Sequence, residues 1–513
     1  MISADYIPYF APEILITVWA MILLLLEAFL DLSPRKVAAL ALAGIFSTAL
    51  ITFFFSSTNA SGGPLYFWND MCKWDGAAKF FHLFFLAVAA LVIWMGDEVQ
   101  HPVKHGGGEF VILPLFTTVG LMLLASANDF MMLFVALELV TISFYILVAY
   151  QRRNVVALEA GVKYLILGGL SSAFLVMGVA YIFGLTGHTR FDLIWGYFHI
   201  YHHAWTSGVG FGLLMVLVGV GFKIAMVPFH SWAPDVYEGA PNSITAFLSV
   251  GSKAGGFIIL MRIVLGIFDD TAAVAVWVPL LATGAIASLL LGNLAAIPQR
   301  NLKRLLAYSS VGHSGFILVA VICASAALTG KVLPSGNADA AAGQTAVSVY
   351  LISYLLATFT AFIVLAILER RLPGLEIHHL AGLSQRSPLL AAAFAFSLVS
   401  LAGVPPLSGF IAKFLVVLVA WHREQYTLLG FVIFAAVAAL YYYLGPIKTM
   451  YWSEPLDETP IRLNRVTKGV LVALIALILV TGFWAQSMFS LVHSAFLAEK
   501  SSPTATTVAL VQH

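Results

Sequence analysis

GVGFKIAMVPFHSWAPDVYEGAP, Gly219 to Pro241, decides how the rest of the chain is read. An apolar run enters it from Gly208 and carries Lys223 near the middle of a hydrocarbon layer before Pro228 arrives. Proline has no amide hydrogen and crowds the preceding turn, so the helix must break there. The carbonyls freed around Ile224 then need a partner that lipid cannot supply, and such a break survives only beside protein or water. A charge at that depth costs about 2.5 to 3.5 kcal/mol on insertion scales, which makes Lys223 a functional candidate. A structural lysine paired to a carboxylate is the competing reading.

Working outward, hydrophobic residues make up 61% of the 513 and charged residues only 10%, against roughly a quarter charged in soluble domains. The fold class expected is an all-α polytopic membrane protein in its lipid bilayer. Apolar runs of helical length number about fourteen, each near the twenty residues needed to cross. The first lies near residues 11–30 and the fourteenth near 466–489; the twelfth, 389–421, contains Pro405 and Pro406 and should break as the seventh does at Pro228. Cys72 and Cys323 are too distant in sequence for a CxxC ligand set, and no basic cluster points to nucleic acid. The acidic N-terminus lacks a basic n-region, so the first run is expected to be a retained span rather than a signal peptide. Arg35, Lys36, Arg152, Arg153, Arg300, Arg304, Arg370, Arg371, Arg462 and Arg465 fall in odd-numbered loops, which puts those loops inside and both termini outside.

Pro228 and Pro405 are breaks five spans apart, and Glu138 with His313, Lys223 with Lys413, and Lys253 with Lys448 recur at similar offsets. A five-span unit is odd, so its second copy must be inverted, as in transporters with discontinuous helices. The expected division is an N-terminal three-helix segment (1–109), a first five-helix repeat (110–267), a second, inverted one (268–451), and a C-terminal helix with tail (452–513).

Lys223, Lys253 and His313 sit about half-way through a 30 Å core at 1.5 Å per residue. Glu138, in FMMLFVALELVTISF, reads as the only acidic residue deep in any span and as the counter-charge for a lysine. A buried lysine loses its proton readily and regains it beside a carboxylate, so this line suits a proton relay, whereas arginine would stay charged. His230 is a further relay candidate beside Pro228. Lys448 could join the line or snorkel to the interface, and Lys163, near a span end, could also snorkel. Arg262 reads as a structural ion-pair partner near the outer surface. His188, His199, His202 and His203 crowd one outer loop without metal-ligand spacing, and no metal is expected.

The VPFHSWAPDVYEGAP stretch after Lys223, GVPPLSGFIAKF around Lys413, Glu138, and NLKRLLAYSSVGHSGF together resemble the antiporter-like membrane subunits of respiratory complex I. The resemblance covers spans four to thirteen. Lys413 stands where subunit M of that family has glutamate, and the chain ends soon after the fourteenth span where subunit L has a long lateral helix, so subunit N of the NADH-quinone oxidoreductase is the branch resembled. The resemblance implies a redox-free proton channel in a bacterial inner membrane, with NADH, FMN, iron-sulfur clusters and quinone all in partner subunits. It also implies neighbouring antiporter-like subunits as partners. Carried over by position, Glu138 pairs with Lys223, Lys163 modulates that pair, Lys253 connects the halves and Lys413 hands the proton outward. A subunit of a multisubunit sodium/proton antiporter and a passive scaffold remain as alternatives.

Overall fold

The computed structural model describes residues 7–497 apart from 31, 56–62, 98–106, 201–204, 329–335, 373, 456 and 458. In chain order it runs α1 (Ile7–Leu30), α2 (Pro34–Phe54), a short antiparallel hairpin of β1 (Leu65–Phe67) and β2 (Cys72–Trp74), α3 (Gly76–Met95), α4 (Glu109–Ser126), α5 (Phe130–Val148) and α6 (Val155–Thr186). A short helix α7 (Phe191–Ile200) precedes α8 (Ser207–Lys223), α9 (Trp232–Gly239), α10 (Asn242–Phe247) and α11 (Lys253–Val264). Then follow α12 (Thr271–Ala296), α13 (Leu302–Cys323), α14 (Gly336–Glu369), the single turn α15 (Leu383–Arg386), α16 (Pro388–Ala402), α17 (Ser408–His422), α18 (Tyr426–Trp452), α19 (Arg465–Phe483) and α20 (Ala485–Leu497). Twelve helical stretches among the described residues are long and apolar enough to cross a membrane, and two interrupted pairs, α8 with α9 and α16 with α17, complete the set.

The elements sort by how much of their circumference is apolar and packed. Every residue of α11 is buried, and α13 is nearly so. The outer helices instead turn large apolar side chains such as Phe29, Phe46, Ile166 and Val437 outward, the pattern of a lipid-facing rim. Charges therefore collect in the interior, between α5, α8, α11, α13 and α17.

The seventh span breaks where proline requires. Helix α8 stops at Lys223, and residues 224–231 run as turns, with Ala225 in the left-handed region at φ 54°. The Ile224 carbonyl accepts a 2.5 Å hydrogen bond from Ser314 Oγ on α13, and the Phe222 carbonyl accepts one of 3.0 Å from Trp232 Nε1. The Val227 amide donates to Ser288 Oγ on α12. The freed backbone is thus satisfied by neighbouring helices, as the hydrocarbon layer demands. The twelfth span breaks at Gly403 (φ 85°), where a Cβ would also meet Lys413 Cδ at 2.7 Å. Glycine is required there both by its φ and by the lysine stem passing over it.

The eighth span is continuous from Asn242 to Val264 but carries a π turn at Leu248–Ser252, immediately before Lys253. At the other end, the fourteenth span stops at Phe483 instead of continuing to 489. The chain turns at Trp484, and α20 lies separately, burying Val492 and Phe496 while Leu491 faces out. An amphipathic helix of this kind follows its apolar face onto a neighbour, here α14 and α3.

Near one end of the bundle Arg262 makes a bidentate pair with Asp75, Nη1 to Oδ2 at 2.6 Å and Nη2 to Oδ1 at 2.9 Å, and also donates to the Ala125 carbonyl. Burial alone would raise the Asp75 carboxyl, but Arg262 and Lys73 hold it well below the usual carboxylate range. Removing one partner of such a buried pair costs about 3 to 5 kcal/mol. Arg262→Met should therefore lower the thermal midpoint of the purified protein, and adding Asp75→Asn should recover part of the loss; equal midpoints for Arg262→Met and wild type would show that the pair holds nothing together.

Candidate proton-relay site

Glu138 stands on α5, half-buried, and accepts a 2.5 Å hydrogen bond from Ser172 Oγ on α6. Lys223, at the last turn of α8 and 5% exposed, donates to Thr141 Oγ1, three residues beyond Glu138 on the same helix. Its Nζ lies 5.9 Å over the Tyr164 ring, close enough for a cation–π attraction. Glu138 and Lys223 make no ion pair within 4.0 Å in the described structure, so the expected direct pairing is replaced by a relation through α5 and Thr141.

Lys253 opens α11 directly after the π turn and is 1% exposed. Its Nζ donates to both the carbonyl and the Oγ of Ser310 on α13, and Ser310 Oγ shares a 3.0 Å hydrogen bond with Tyr237 on α9. Lys253 Nζ also lies 5.3 Å over Tyr354, whose hydroxyl meets Ser249 at 2.6 Å.

His313 sits one turn along α13 from Ser309 and Ser310, held at both ring nitrogens: Nδ1 to the Tyr350 hydroxyl at 2.6 Å and Nε2 to the Tyr443 hydroxyl at 3.2 Å. Tyr443 also bonds to Ser309. A neutral imidazole has one donor and one acceptor nitrogen, so one phenol must donate and the other accept. Lys413 on α17 is 7% exposed and donates 2.8 Å to the Ala402 carbonyl, at the end of α16, with the Phe316 ring 4.8 Å away. A small cavity lined by His313, Tyr350, Tyr354, Ser353, Ser400 and Lys413, together with the apolar Ala357, Leu401 and Ala412, is shared by the histidine and this lysine.

Not every expected residue joins this line. Lys163 is 42% exposed and pairs with Glu159 and Asp235, each at 2.7 Å; Arg304 extends the network to Asp235 and Glu238 at 2.8 Å. It is held at a span end by acidic partners instead of lying beside Glu138. Lys448 is exposed on the outer face of α18, where its long stem can reach the interface, so it is no structural match for buried Lys253. His230 is half-buried in the turns between α8 and α9, with no hydrogen-bond partner at Nδ1 among the described residues. Glu138 is the acidic residue lying mid-span, as expected, yet it is only half-buried, whereas Glu13, in the second turn of α1, is fully buried. In the loop after α6, His199 stacks on Trp195 with centroids 3.7 Å apart. His202 and His203 lie outside the described residues.

The residues that sequence reading missed are mostly hydroxyl carriers: Thr141, Ser172, Ser310, Tyr237, Tyr350, Tyr354 and Tyr443. None is charged, and the one signal that could have found them was helical spacing from the buried lysines and histidine, since Ser310 and Ser309 lie one turn from His313.

Residues 127–439, more than half of the chain, match the family described as NADH:quinone oxidoreductase/Mrp antiporter, TM. The chain is 38% identical, over 93% of its own length and 94% of the relative's, to a NADH-quinone oxidoreductase subunit N of Roseiflexus castenholzii. It is 40% identical to the subunit N of Desulfitobacterium hafniense, over 82% of this chain and 84% of that one. Among solved structures it is similar to a chain of respiratory complex I from Thermus thermophilus with bound aureothin, with a TM-score of 0.77 at 29% identity, covering 95% of this chain and 100% of that one.

Because Thr141 links Lys223 to the turn that carries Glu138, the two should be energetically coupled without touching. In a double-mutant cycle on proton pumping, Glu138→Gln and Lys223→Ala should depart from additivity by about 0.5 to 3 kcal/mol. Strict additivity would show them independent.

Proposed function

The chain belongs to the NADH:quinone oxidoreductase/Mrp antiporter transmembrane family, and on that footing we propose that it is the proton-translocating membrane subunit N of a NADH-quinone oxidoreductase, seated among other membrane-arm subunits. The observation that carries this reading is the set of partners chosen by the buried cations. Lys223 meets a threonine hydroxyl, Lys253 a serine hydroxyl and carbonyl, and Lys413 a backbone carbonyl. None of the three has a carboxylate within ion-pair distance in the described structure, so no fixed anion locks its proton in place. A neutral amine still donates to a carbonyl, and a hydroxyl can turn from accepting to donating, so both protonation states of each lysine find a partner. Lysines kept purely as structural cations would be served better by carboxylates.

The order Lys223, Lys253, His313, Lys413 then gives a lateral proton line. Lys253 passes the line to α13 through Ser310, His313 continues it between Tyr350 and Tyr443, and the small cavity shared by His313 and Lys413 carries it to Lys413. Lys163 acts from outside the line, through Asp235 on α9, the helix whose Tyr237 reaches Ser310. The energy comes from quinone chemistry in neighbouring subunits, and NADH, FMN, iron-sulfur clusters and quinone are bound there. The two interrupted helix pairs support the inverted-repeat reading of residues 110–267 and 268–451. The excess of basic residues in the odd-numbered loops supports both termini outside a bacterial inner membrane.

Lys223→Ala should leave the complex assembled, since an uncharged residue is cheaper to bury, and should leave NADH oxidation with a soluble acceptor unchanged. Quinone-linked turnover and proton uptake by reconstituted vesicles should fall at least about tenfold, a barrier change near 1.4 kcal/mol. Lys223→Arg should fail as well, because a guanidinium keeps its proton. Normal pumping in Lys223→Ala would overturn the relay, loss of assembly would favour a scaffold, and sodium-dependent exchange without a redox partner would favour an antiporter. Orientation is checked separately. A cysteine at Arg152 should react with an impermeant maleimide only in inverted vesicles, and one at Glu424 only in intact cells; the opposite pattern would reverse the topology.

A further inference from the structure

Glu13 lies in the second turn of α1 with a fully buried side chain, against His82 in the second turn of α3, which is equally buried. Glu13 Oε1 is 3.3 Å from His82 Nε2, yet no hydrogen bond of good geometry reaches either carboxyl oxygen from the described residues. His82 Nε2 lies 2.9 Å from the Met122 carbonyl and 3.1 Å from Ser126 Oγ, while Nδ1 has no partner among the described residues.

The hydrogen-bond inventory fixes the protons. The Met122 carbonyl can only accept, so Nε2 carries a hydrogen. A second proton on Nδ1 would place an unpaired N–H of a cation in a buried site, and an ionised Glu13 would bury a full charge opposite only the Ser126 hydroxyl and the shared His82 Nε2–H, too few donors for a carboxylate. The arrangement that leaves least unsatisfied is a neutral ring with its hydrogen on Nε2 and a Glu13 carboxyl that holds its own proton. The charges nearby do not alter this. Asp75 at the start of α3 is taken up by Arg262 from α11 and Lys73 from β2. Asp129 at the start of α5 is taken up by Thr189 and the Met131 amide. The Trp74 ring, centroid 5.0 Å from the imidazole, closes the remaining side.

We propose that Glu13 and His82 form a second proton-binding site, confined to the N-terminal helices and separate from the lysine line, in which Glu13 stores a proton as a carboxylic acid. Glu13 lies about 10 Å along α1 from its first described residue, and His82 about 10 Å along α3 from its start, at 1.5 Å per residue. On the topology of the preceding section that is the outer side. Its ligand is the proton itself, exchanged with the outer aqueous phase.

Infrared spectroscopy of the assembled complex tests the assignment. Wild type should show the carbonyl stretch of a protonated carboxylic acid at neutral pH, displaced in D2O and abolished in Glu13→Gln. His82→Gln should keep the band at an altered frequency. Protons pumped per electron should be the same in Glu13→Gln as in wild type, because the site is off the line. An unchanged spectrum in Glu13→Gln, or no such band in wild type, would overturn the protonated acid; a collapse of pumping in an intact Glu13→Gln complex would overturn its separateness. Should Glu13→Gln not assemble, Glu13→Asp takes its place, and there an unmoved band is the overturning result.

Discussion

A main-chain carbonyl freed inside a membrane is the constraint on which the interior of this protein depends. Two spans are interrupted, and each interruption leaves carbonyls that lipid cannot satisfy. At the first, Ser314 and Trp232 supply the donors. At the second, the donor to the Ala402 carbonyl is Lys413 itself. The same residue therefore satisfies a helix end and, in the proposed relay, would carry a transferable charge. The end of α16 offers partial negative charge to that ammonium without offering a full anion.

The same economy governs the rest of the line. Hydroxyls from α5 and α13 and phenols from α14 and α18 surround the lysines and the histidine, and each can serve as donor or acceptor. Helix α13 contributes most, with Ser309, Ser310, His313 and Ser314 on successive turns of a helix buried along almost all its length. From these positions it touches the first break, Lys253, and the tyrosine pair around His313. The carboxylates, by contrast, lie at the margins: Glu138 half-buried at one end, and Asp235 and Glu238 in the network around Arg304.

The backbone of this arrangement was legible in the residues because a buried charge and a mid-span proline are each rare in an apolar run. Lys223, Lys253, His313 and Lys413 stand out for that reason, and so do the breaks at Pro228 and at Pro405–Pro406, the second of which falls two residues earlier, at Gly403. Hydroxyl partners give no such contrast, since serine, threonine and tyrosine occur throughout membrane helices. Lys163 and Lys448, which could have snorkelled from span ends, do reach the surface, and only the matching of Lys448 with Lys253 fails, because distance along a span says nothing about which way a side chain faces. Glu13 escaped because it lies near a span's end, where water is the ordinary expectation, and only the packing of α3 and α4 over it shows otherwise. Glu138 and Lys223, expected as a charge pair, are not in ion-pair contact, because Lys223 reaches Thr141 one turn along the same helix instead.

The π turn before Lys253 has a geometric consequence of its own. A π turn holds one residue more than an α turn, so rewinding Leu248–Ser252 as ordinary α-helix would swing everything after it by about 100° in azimuth. Lys253 is the first residue to feel that rotation, and its two bonds to Ser310 lie on one side only. The π turn is therefore what faces the lysine toward α13, and the Arg262–Asp75 pair downstream, which the same rotation would break, holds that winding in place.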